Sequence, residues 1–191
     1  MAKILITEHD LTYLREHYPL LKYDKSKNTI SGVLAFDLVY NKIRIRDKFN
    51  IEINLESPKG SVLPIVKEVL NRIVKISERK KIALGDLHLN NTQGELCLII
   101  PPKEKERYPK GFDLKEFLRH LEEHLYWVSY YERYEKEPWK GQAHGIQGYI
   151  ELYDENHSYR ADVKKMVEED VGKKLSRPEF RRLIKTKRKN K

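Results

Sequence analysis

The stretch from His88 to Ile100 reads HLNNTQGELCLII and contains Cys97, the single cysteine of the chain. Its central NNTQG segment predicts a polar turn, because Asn and Gly tolerate a positive φ and short polar side chains bond to their own backbone. The apolar run over residues 96–100 has the composition of a strand, and two prolines end it. We therefore expect the thiol at the mouth of a buried strand, beside two carboxamides and a histidine.

A lone cysteine has two interpretations that local sequence does not separate. It is most often a small buried hydrophobic side chain. It is a reactive thiol when it is accessible and lies near amide donors or positive charge. The polar turn before Cys97 supplies amide donors, so both interpretations remain open at this point.

Residues from about Gly32 to Tyr131, roughly half of the chain, resemble the ubiquitin-conjugating enzymes, in particular their divergent prokaryotic branch. In that family a histidine and an asparagine precede a glycine turn, and the catalytic cysteine follows in the pattern G-x-x-C-L. Leu89 stands where the common eukaryotic motif has proline, and the histidine lies nine residues before the cysteine, one fewer than in the family. The matching residues are His88, Asn90 or Asn91, Gly94, Cys97 and Leu98.

The resemblance implies an α+β fold, an antiparallel β-meander flanked by helices, with a helical basic extension at the C-terminus. It implies an enzyme, a transferase in which Cys97 carries the activated C-terminus of a protein as a thioester and passes it to an amine. A carboxamide, from Asn90 or Asn91, would stabilise the oxyanion. His88 or His144 would accept the proton that the amine loses.

His144 enters through a second string, PWKGQAHGIQG at residues 138–148. This string is similar to the segment that follows the conjugating domain in prokaryotic members of the family. It would place the histidine at the cleft of Cys97. A turn histidine that bonds to backbone is the alternative.

The resemblance also implies partners and a cellular setting. The partner would be a protein with an activated C-terminus, either a ubiquitin-like modifier or a nucleotidyltransferase, and an activating enzyme is compatible with the scheme. Stand-alone prokaryotic proteins of this kind resemble those of antiphage operons that signal through cyclic oligonucleotides. The expected role is therefore in antiphage defence, in the cytoplasm of a prokaryote.

Two other functions are compatible with the sequence. The first is a catalytically inactive conjugating-fold module that binds a protein, in which the cysteine is a core residue. The second is nucleic-acid binding through the C-terminal tail. Residues 172–191 hold ten Lys or Arg against one acid, for a local charge of +9, whereas the remainder holds 28 basic and 28 acidic residues. Any contact with phosphates or with an acidic partner is therefore expected of the tail and not of the folded body.

Composition sets the class of the protein. Hydrophobic residues are 39% and charged residues 35% of the chain, which is a globular composition with a highly charged surface. No run approaches the ~20 apolar residues of a membrane span, so no membrane is expected. A single cysteine excludes an internal disulfide and indicates a reducing compartment. We place a conjugating-like domain at residues 1–153 and the basic extension at residues 154–191.

Periodicity and capping signals predict the main elements. A helix is expected from Glu8 to His17, and two strands from Ile30 to Tyr40 and from Ile43 to Leu55, joined by a tight Asn-Lys turn. Residues 62–76 carry apolar spacing typical of a helix, whereas the resemblance implies a strand, and we favour the strand. The polar segment at residues 101–110 is expected to be a loop.

The strongest helix signal begins at Asp113 and continues to Tyr134. Asp113 and Glu116 form a capping-box pair, and Phe112 can pack on Phe117. The second half of the helix carries an aromatic band, which predicts either packing or a protein-docking surface.

A zinc site is the weakest of the interpretations. His120 and His124 have the i, i+4 spacing of a helical ligand pair, and His88 and His144 are further candidates. No pair of cysteines supports them and the HExxH arrangement is absent from the sequence. The sequence therefore predicts neither a metal nor another cofactor.

Overall fold

The structure, a computed structural model, describes residues 1–141, 143 and 145–189, and it describes the side chains of the last helix up to Thr186. The chain divides into two compact units, Met1–Lys140 and Gly141–Lys191. Within the described ranges, no helix is long and apolar enough to cross a membrane.

The first unit is mixed α+β and is built on a four-stranded antiparallel sheet of order β2-β3-β4-β6. A separate two-stranded pairing joins β1 to β5. The strands are β1 (Ala2–Lys3), β2 (Leu21–Asp24), β3 (Thr29–Tyr40), β4 (Ile43–Asn54), β5 (Glu56–Ser57) and β6 (Ile65–Glu68). The helices are α1 (Glu8–His17), α2 (Arg72–Lys80), α3 (Pro101–Arg107) and α4 (Leu114–Tyr134), with a 3-10 turn at Gly85–Leu87.

Helix α1 begins and ends where its sequence predicts. The Thr7 side chain accepts a hydrogen bond from the backbone N–H of Asp10, and the Asp10 carboxylate accepts one from Thr7. This reciprocal cap satisfies two N–H groups that the first helical turn leaves without partners.

The β3–β4 hairpin, which the sequence also predicts, is the longest pairing of the sheet. Asn41 and Lys42 both have a positive φ, of 46° and 67°, as a two-residue hairpin turn requires. Alternate residues of β4 point into the core, and Ile45, Phe49 and Ile51 are at most 1% exposed. Long antiparallel strands with one buried face follow from this alternation.

The segment from Val62 to Ile76 contains both a strand and a helix, the two structures between which its sequence did not decide. Strand β6 covers residues 65–68 and helix α2 begins at Arg72. The expectation of one continuous strand was therefore wrong. The buried Glu68 carboxylate separates the two elements, because it accepts hydrogen bonds from the backbone N–H groups of Leu70 and Arg72, at 3.0 and 2.5 Å.

The expected loop at residues 101–110 is also wrong, since Pro101–Arg107 forms helix α3. Its two prolines occupy the first helical positions, where a missing N–H costs nothing. Glu104 is 5% exposed, and its carboxylate accepts hydrogen bonds from the Ser61 hydroxyl and the Val62 backbone N–H. This buried carboxylate holds α3 against the loop that precedes β6.

Helix α4 is the scaffold on which the sheet packs. The Asp113 carboxylate accepts a hydrogen bond from the Glu116 N–H at 2.8 Å, which is one half of the predicted capping box. The rings of Phe112 and Phe117 lie 5.4 Å apart, as predicted. Its apolar face is at most 1% exposed at every position: Leu114, Phe117, Leu118, Leu121, Leu125 and Val128.

The second unit is helical. It consists of α5 (Gly145–Glu155), a 3-10 turn (His157–Tyr159), α6 (Arg160–Asp170) and α7 (Arg177–Lys189). The predicted boundary between residues 153 and 154 lies within α5. The unit buries apolar side chains of its own: Ile150, Leu152, Tyr159, Val163, Val167, Leu175, Phe180 and Ile184.

Candidate functional site

Residues 88–97 form a small hairpin-like loop that brings His88 and Cys97 together. The backbone N–H of Cys97 donates to the His88 carbonyl at 2.8 Å, and the N–H of Asn90 donates to the Glu95 carbonyl at 2.8 Å. Leu89 pairs with Leu96 between them. The motif that the sequence singles out is thus one compact structure, which we call the cysteine hairpin.

The predicted strand over residues 96–100 is not present as such. Only Glu95 and Leu96 form isolated β-bridges, and residues 97–100 lie outside any strand. The apolar side chains of Leu98 and Ile99 instead pack against the core while half-buried. The apolar composition of residues 96–100 therefore reflects the burial of these side chains and not the pairing of a strand.

The cysteine hairpin is attached to the edge of the sheet through β6. The N–H of Leu96 donates to the Val66 carbonyl at 2.9 Å, and the N–H of Glu68 donates to the Gly94 carbonyl at 2.8 Å. Gly94 has a φ of +78°, and a Cβ on it would lie 2.3 Å from the Glu68 carbonyl oxygen. This close approach of two backbones requires glycine.

His88 is held by its backbone and by its ring. Its φ is +57°, in the left-handed region, and its N–H donates to the Gly85 carbonyl at 2.8 Å, which closes the 3-10 turn. Its ring meets Trp127 of α4 edge-on, with the ring centroids 4.6 Å apart, and lies 5.5 Å from the ring of His124. The aromatic band on α4 thus packs partly on the cysteine hairpin.

The two carboxamides converge on Glu95. The amide groups of Asn90 and Asn91 donate to the two oxygens of the Glu95 carboxylate, each at 3.1 Å. The Asn91 side-chain oxygen also accepts from the N–H groups of Gln93 and Glu95. Asn91 therefore shapes the turn, whereas the side-chain amide of the exposed Asn90 donates to Glu95 and, at 3.4 Å, to the Leu96 carbonyl.

The thiol of Cys97 is half-buried. Burial raises its pKa, and the nearby Glu95 carboxylate raises it further. Both effects favour the neutral thiol, because a low dielectric and a negative neighbour each disfavour the thiolate.

Neutralising Glu95 should therefore activate the thiol. In Glu95→Gln, we expect the pKa of Cys97 to fall and its alkylation by iodoacetamide at pH 7.5 to accelerate, because the repelling charge is removed. The measurement is the alkylation rate as a function of pH. Glu16→Gln, which removes an exposed acid from α1, is the matched control and should leave the rate unchanged. An unchanged profile in Glu95→Gln would contradict this assignment.

The remaining candidate residues are the histidines that the sequence analysis named besides His88. His144 lies outside the described residues. His120 is 7% exposed, its Nδ1 lies 2.8 Å from the Tyr108 hydroxyl, and burial lowers its pKa to about 3. In the described part of the chain, no three His, Cys, Asp or Glu side chains form a group that could hold a metal.

Sequence reasoning did not assign Glu95 and Trp127 to the site. Glu95 stands between Gly94 and Cys97, so an acid inside the motif was a readable signal. Trp127 belongs to the predicted aromatic band, but its contact with His88 depends on how α4 packs and had no local signal. A groove of about 570 Å³ on β3 and β4 is lined by none of these residues.

No protein-family profile, curated protein or solved structure matches this chain.

Proposed function

We propose that the protein is a ubiquitin-conjugating-like transferase that carries an activated protein C-terminus as a thioester on Cys97 and transfers it to an amine. The observation that supports this most directly is the cysteine hairpin. It joins the backbones of Cys97 and His88 by a hydrogen bond of 2.8 Å and places the carboxamide of Asn90 in the same loop. The hairpin follows an antiparallel meander that helix α4 covers, an order compatible with the conjugating-enzyme fold.

The reaction has two transfers. In the first, the Cys97 thiolate attacks the carbonyl carbon of an activated C-terminus and displaces the activating group. In the second, an amine attacks the thioester, the tetrahedral oxyanion collapses, and the thiolate leaves. The amine loses one proton, for which His88 of the cysteine hairpin is a candidate base.

The thiol must ionise before the first transfer. The Glu95 charge opposes this in the resting protein. The Asn90 amide, which donates to Glu95, must leave that carboxylate in order to reach the oxyanion of the proposed transfer.

The two asparagines should differ in what their removal costs. Asn90→Ala is expected to slow transfer from the thioester to an amine by about 10²-fold, because an oxyanion donor is lost. Asn91→Ala is expected to destabilise the protein by about 1 kcal/mol, because it removes the side-chain acceptor of the turn. Single-turnover discharge of the thioester to free lysine and urea denaturation measure the two effects. A loss of transfer confined to Asn91→Ala would reverse the assignment.

The test of the function is capture of the thioester. The protein is recovered from its native host and run on a non-reducing gel beside Cys97→Ala. We expect a larger band that reductant and hydroxylamine both remove and that Cys97→Ala lacks. Hydroxylamine separates a thioester from a disulfide, and mass spectrometry of the band identifies the partner. No adduct in wild type would count against the proposal.

The proposed partners follow from the resemblance to the prokaryotic conjugating enzymes. The carried protein would be a ubiquitin-like modifier or a nucleotidyltransferase with a free C-terminus, loaded by an activating enzyme that supplies the acyl group. We place this activity in prokaryotic antiphage signalling, in the cytoplasm. Mass spectrometry of the captured adduct tests the partner directly.

A second candidate is a catalytically inactive protein-binding module of the same fold. The observation that favours it is the Glu95 carboxylate, which occupies both carboxamide donors and raises the pKa of the thiol. An inactive module predicts that Cys97 resists alkylation in the native protein at pH 8.5 and reacts only after unfolding. The transferase predicts reaction in the native state.

A further inference from the structure

The last helix of the second unit presents a strongly basic surface. Arg177, Arg181 and Lys185 follow one another at i, i+4 spacing along α7, and Arg182 lies beside the last two. All four side chains are exposed. We call these four residues the basic face; it covers about 12 Å of helix.

Carboxylates near α7 are already engaged in positioning the helix. The Glu179 carboxylate accepts hydrogen bonds from the N–H and hydroxyl of Ser176, at 2.8 and 2.6 Å, and caps the helix. The Glu168 carboxylate of α6 accepts from the Leu175 N–H at 2.8 Å and from Lys164 at 2.6 Å. Within the described residues no ion pair involves Arg177, Arg181 or Lys185, so their charge faces solvent.

The apolar residues of α7 do not contribute to this surface. Phe180 and Ile184 are 5% and 2% exposed and are turned into the core of the second unit. Protein-binding surfaces have an apolar centre from which charged residues are depleted. Surfaces that bind nucleic acid are polar and strongly positive, with Arg and Lys directed at phosphates. The basic face is polar and strongly positive, as surfaces that bind nucleic acid are.

We propose that the basic face binds the phosphate backbone of nucleic acid without sequence preference. Duplex DNA carries one charge per ~1.7 Å, so 12 Å of duplex presents about seven phosphates to four cations. The first unit holds 25 Lys or Arg against 21 acids, so its excess of +4 is spread over 140 residues, whereas residues 172–191 carry +9. This activity is independent of Cys97 and of the proposed transfer.

The test is fluorescence anisotropy of the full chain with a labelled 20-base-pair duplex of mixed sequence. With four phosphate contacts, affinity should fall about 10²-fold between 50 and 200 mM NaCl. In Arg177→Gln/Arg181→Gln/Arg182→Gln/Lys185→Gln, affinity at 50 mM NaCl should fall at least about 10-fold and the salt slope should flatten. Gln keeps the length and helix propensity of the side chains, and circular dichroism checks the fold.

A matched control removes four equally exposed cations from the first unit, in Lys22→Gln/Lys25→Gln/Lys59→Gln/Lys110→Gln. This variant has the same net charge as the first and should bind almost as tightly as wild type. Cys97→Ala should also bind as wild type does. Equal losses in the two quadruple variants would overturn the proposal, since net charge alone would then explain binding. Competition by polyglutamate as strong as that by the duplex would overturn it in favour of an acidic protein segment.

Discussion

Cys97→Ala should abolish transfer of the carried C-terminus, with a loss on the order of 10⁴-fold or more, because the nucleophile and the thioester it forms are both removed. The substitution should leave stability within about 1 kcal/mol of wild type, since the side chain is half-buried and small. Formation of conjugates with purified activating enzyme and partner measures the first effect, and urea denaturation measures the second.

Cys97→Ser provides the matched control for this result. A serine hydroxyl retains the position and nearly the size of the thiol, and it would hold the acyl group as an oxyester that resists hydroxylamine better than a thioester does. We expect a stable adduct on Cys97→Ser and none on Cys97→Ala. Conjugation by Cys97→Ala at the rate of wild type would end the proposal of a covalent carrier.

Gly94→Ala should destabilise the first unit by about 3 kcal/mol or more. Two costs combine: a side chain at a φ of +78° costs about 1–2 kcal/mol, and its Cβ would collide with the Glu68 carbonyl oxygen at 2.3 Å. The backbones must separate, which breaks the hydrogen bond between Glu68 and Gly94 and detaches the cysteine hairpin from β6. Urea denaturation followed by tryptophan fluorescence is a direct measurement, because both tryptophans, Trp127 and Trp139, lie in this unit.

Gly60→Ala isolates the first cost, that of the backbone conformation. Gly60 also has a positive φ, of +88°, but a Cβ there meets nothing within 4 Å. We expect a loss of only about 1–2 kcal/mol from its backbone conformation. If the two variants were equally stable, the close approach of Gly94 to β6 would not be what holds the hairpin. Faster alkylation of Cys97 in Gly94→Ala than in Gly60→Ala would show that detachment opens the site.

The parts of the fold that were predictable are those in which local signals agree with one another. Helix α4 has a cap at Asp113, an aromatic contact across its first turn and an apolar stripe, and the β3–β4 hairpin combines alternation with a turn that tolerates positive φ. Helix α3 was missed because its two prolines look like a stop signal, although the same residues are well suited to a first turn. Helix α2 was missed because the strand implied by the resemblance was favoured over the helical spacing of the apolar residues. The N–H groups of its first turn are satisfied by the buried Glu68, which precedes the helix and is not a capping signal at Asn71.

The sequence predicted which residues of the site lie close together, but it did not predict their individual roles. A histidine, two asparagines and a glycine turn before Cys97 indicated one local cluster, and a single hairpin brings them together. The roles of the two asparagines were not readable, since both have the same side chain and differ only in the groups they meet. The contact between His88 and Trp127 was not readable either, because it joins segments that only tertiary packing brings together.

The two units bury separate sets of apolar residues, and this has an evolutionary consequence. Substitutions at the exposed positions of α7 leave the buried apolar residues of the second unit, such as Phe180 and Ile184, in place. The exposed charges of α7 are therefore free to diverge faster than the apolar residues of the sheet. Among descendants of this chain, we expect the cysteine hairpin to be inherited with residues 1–140 and the basic face to vary on its own.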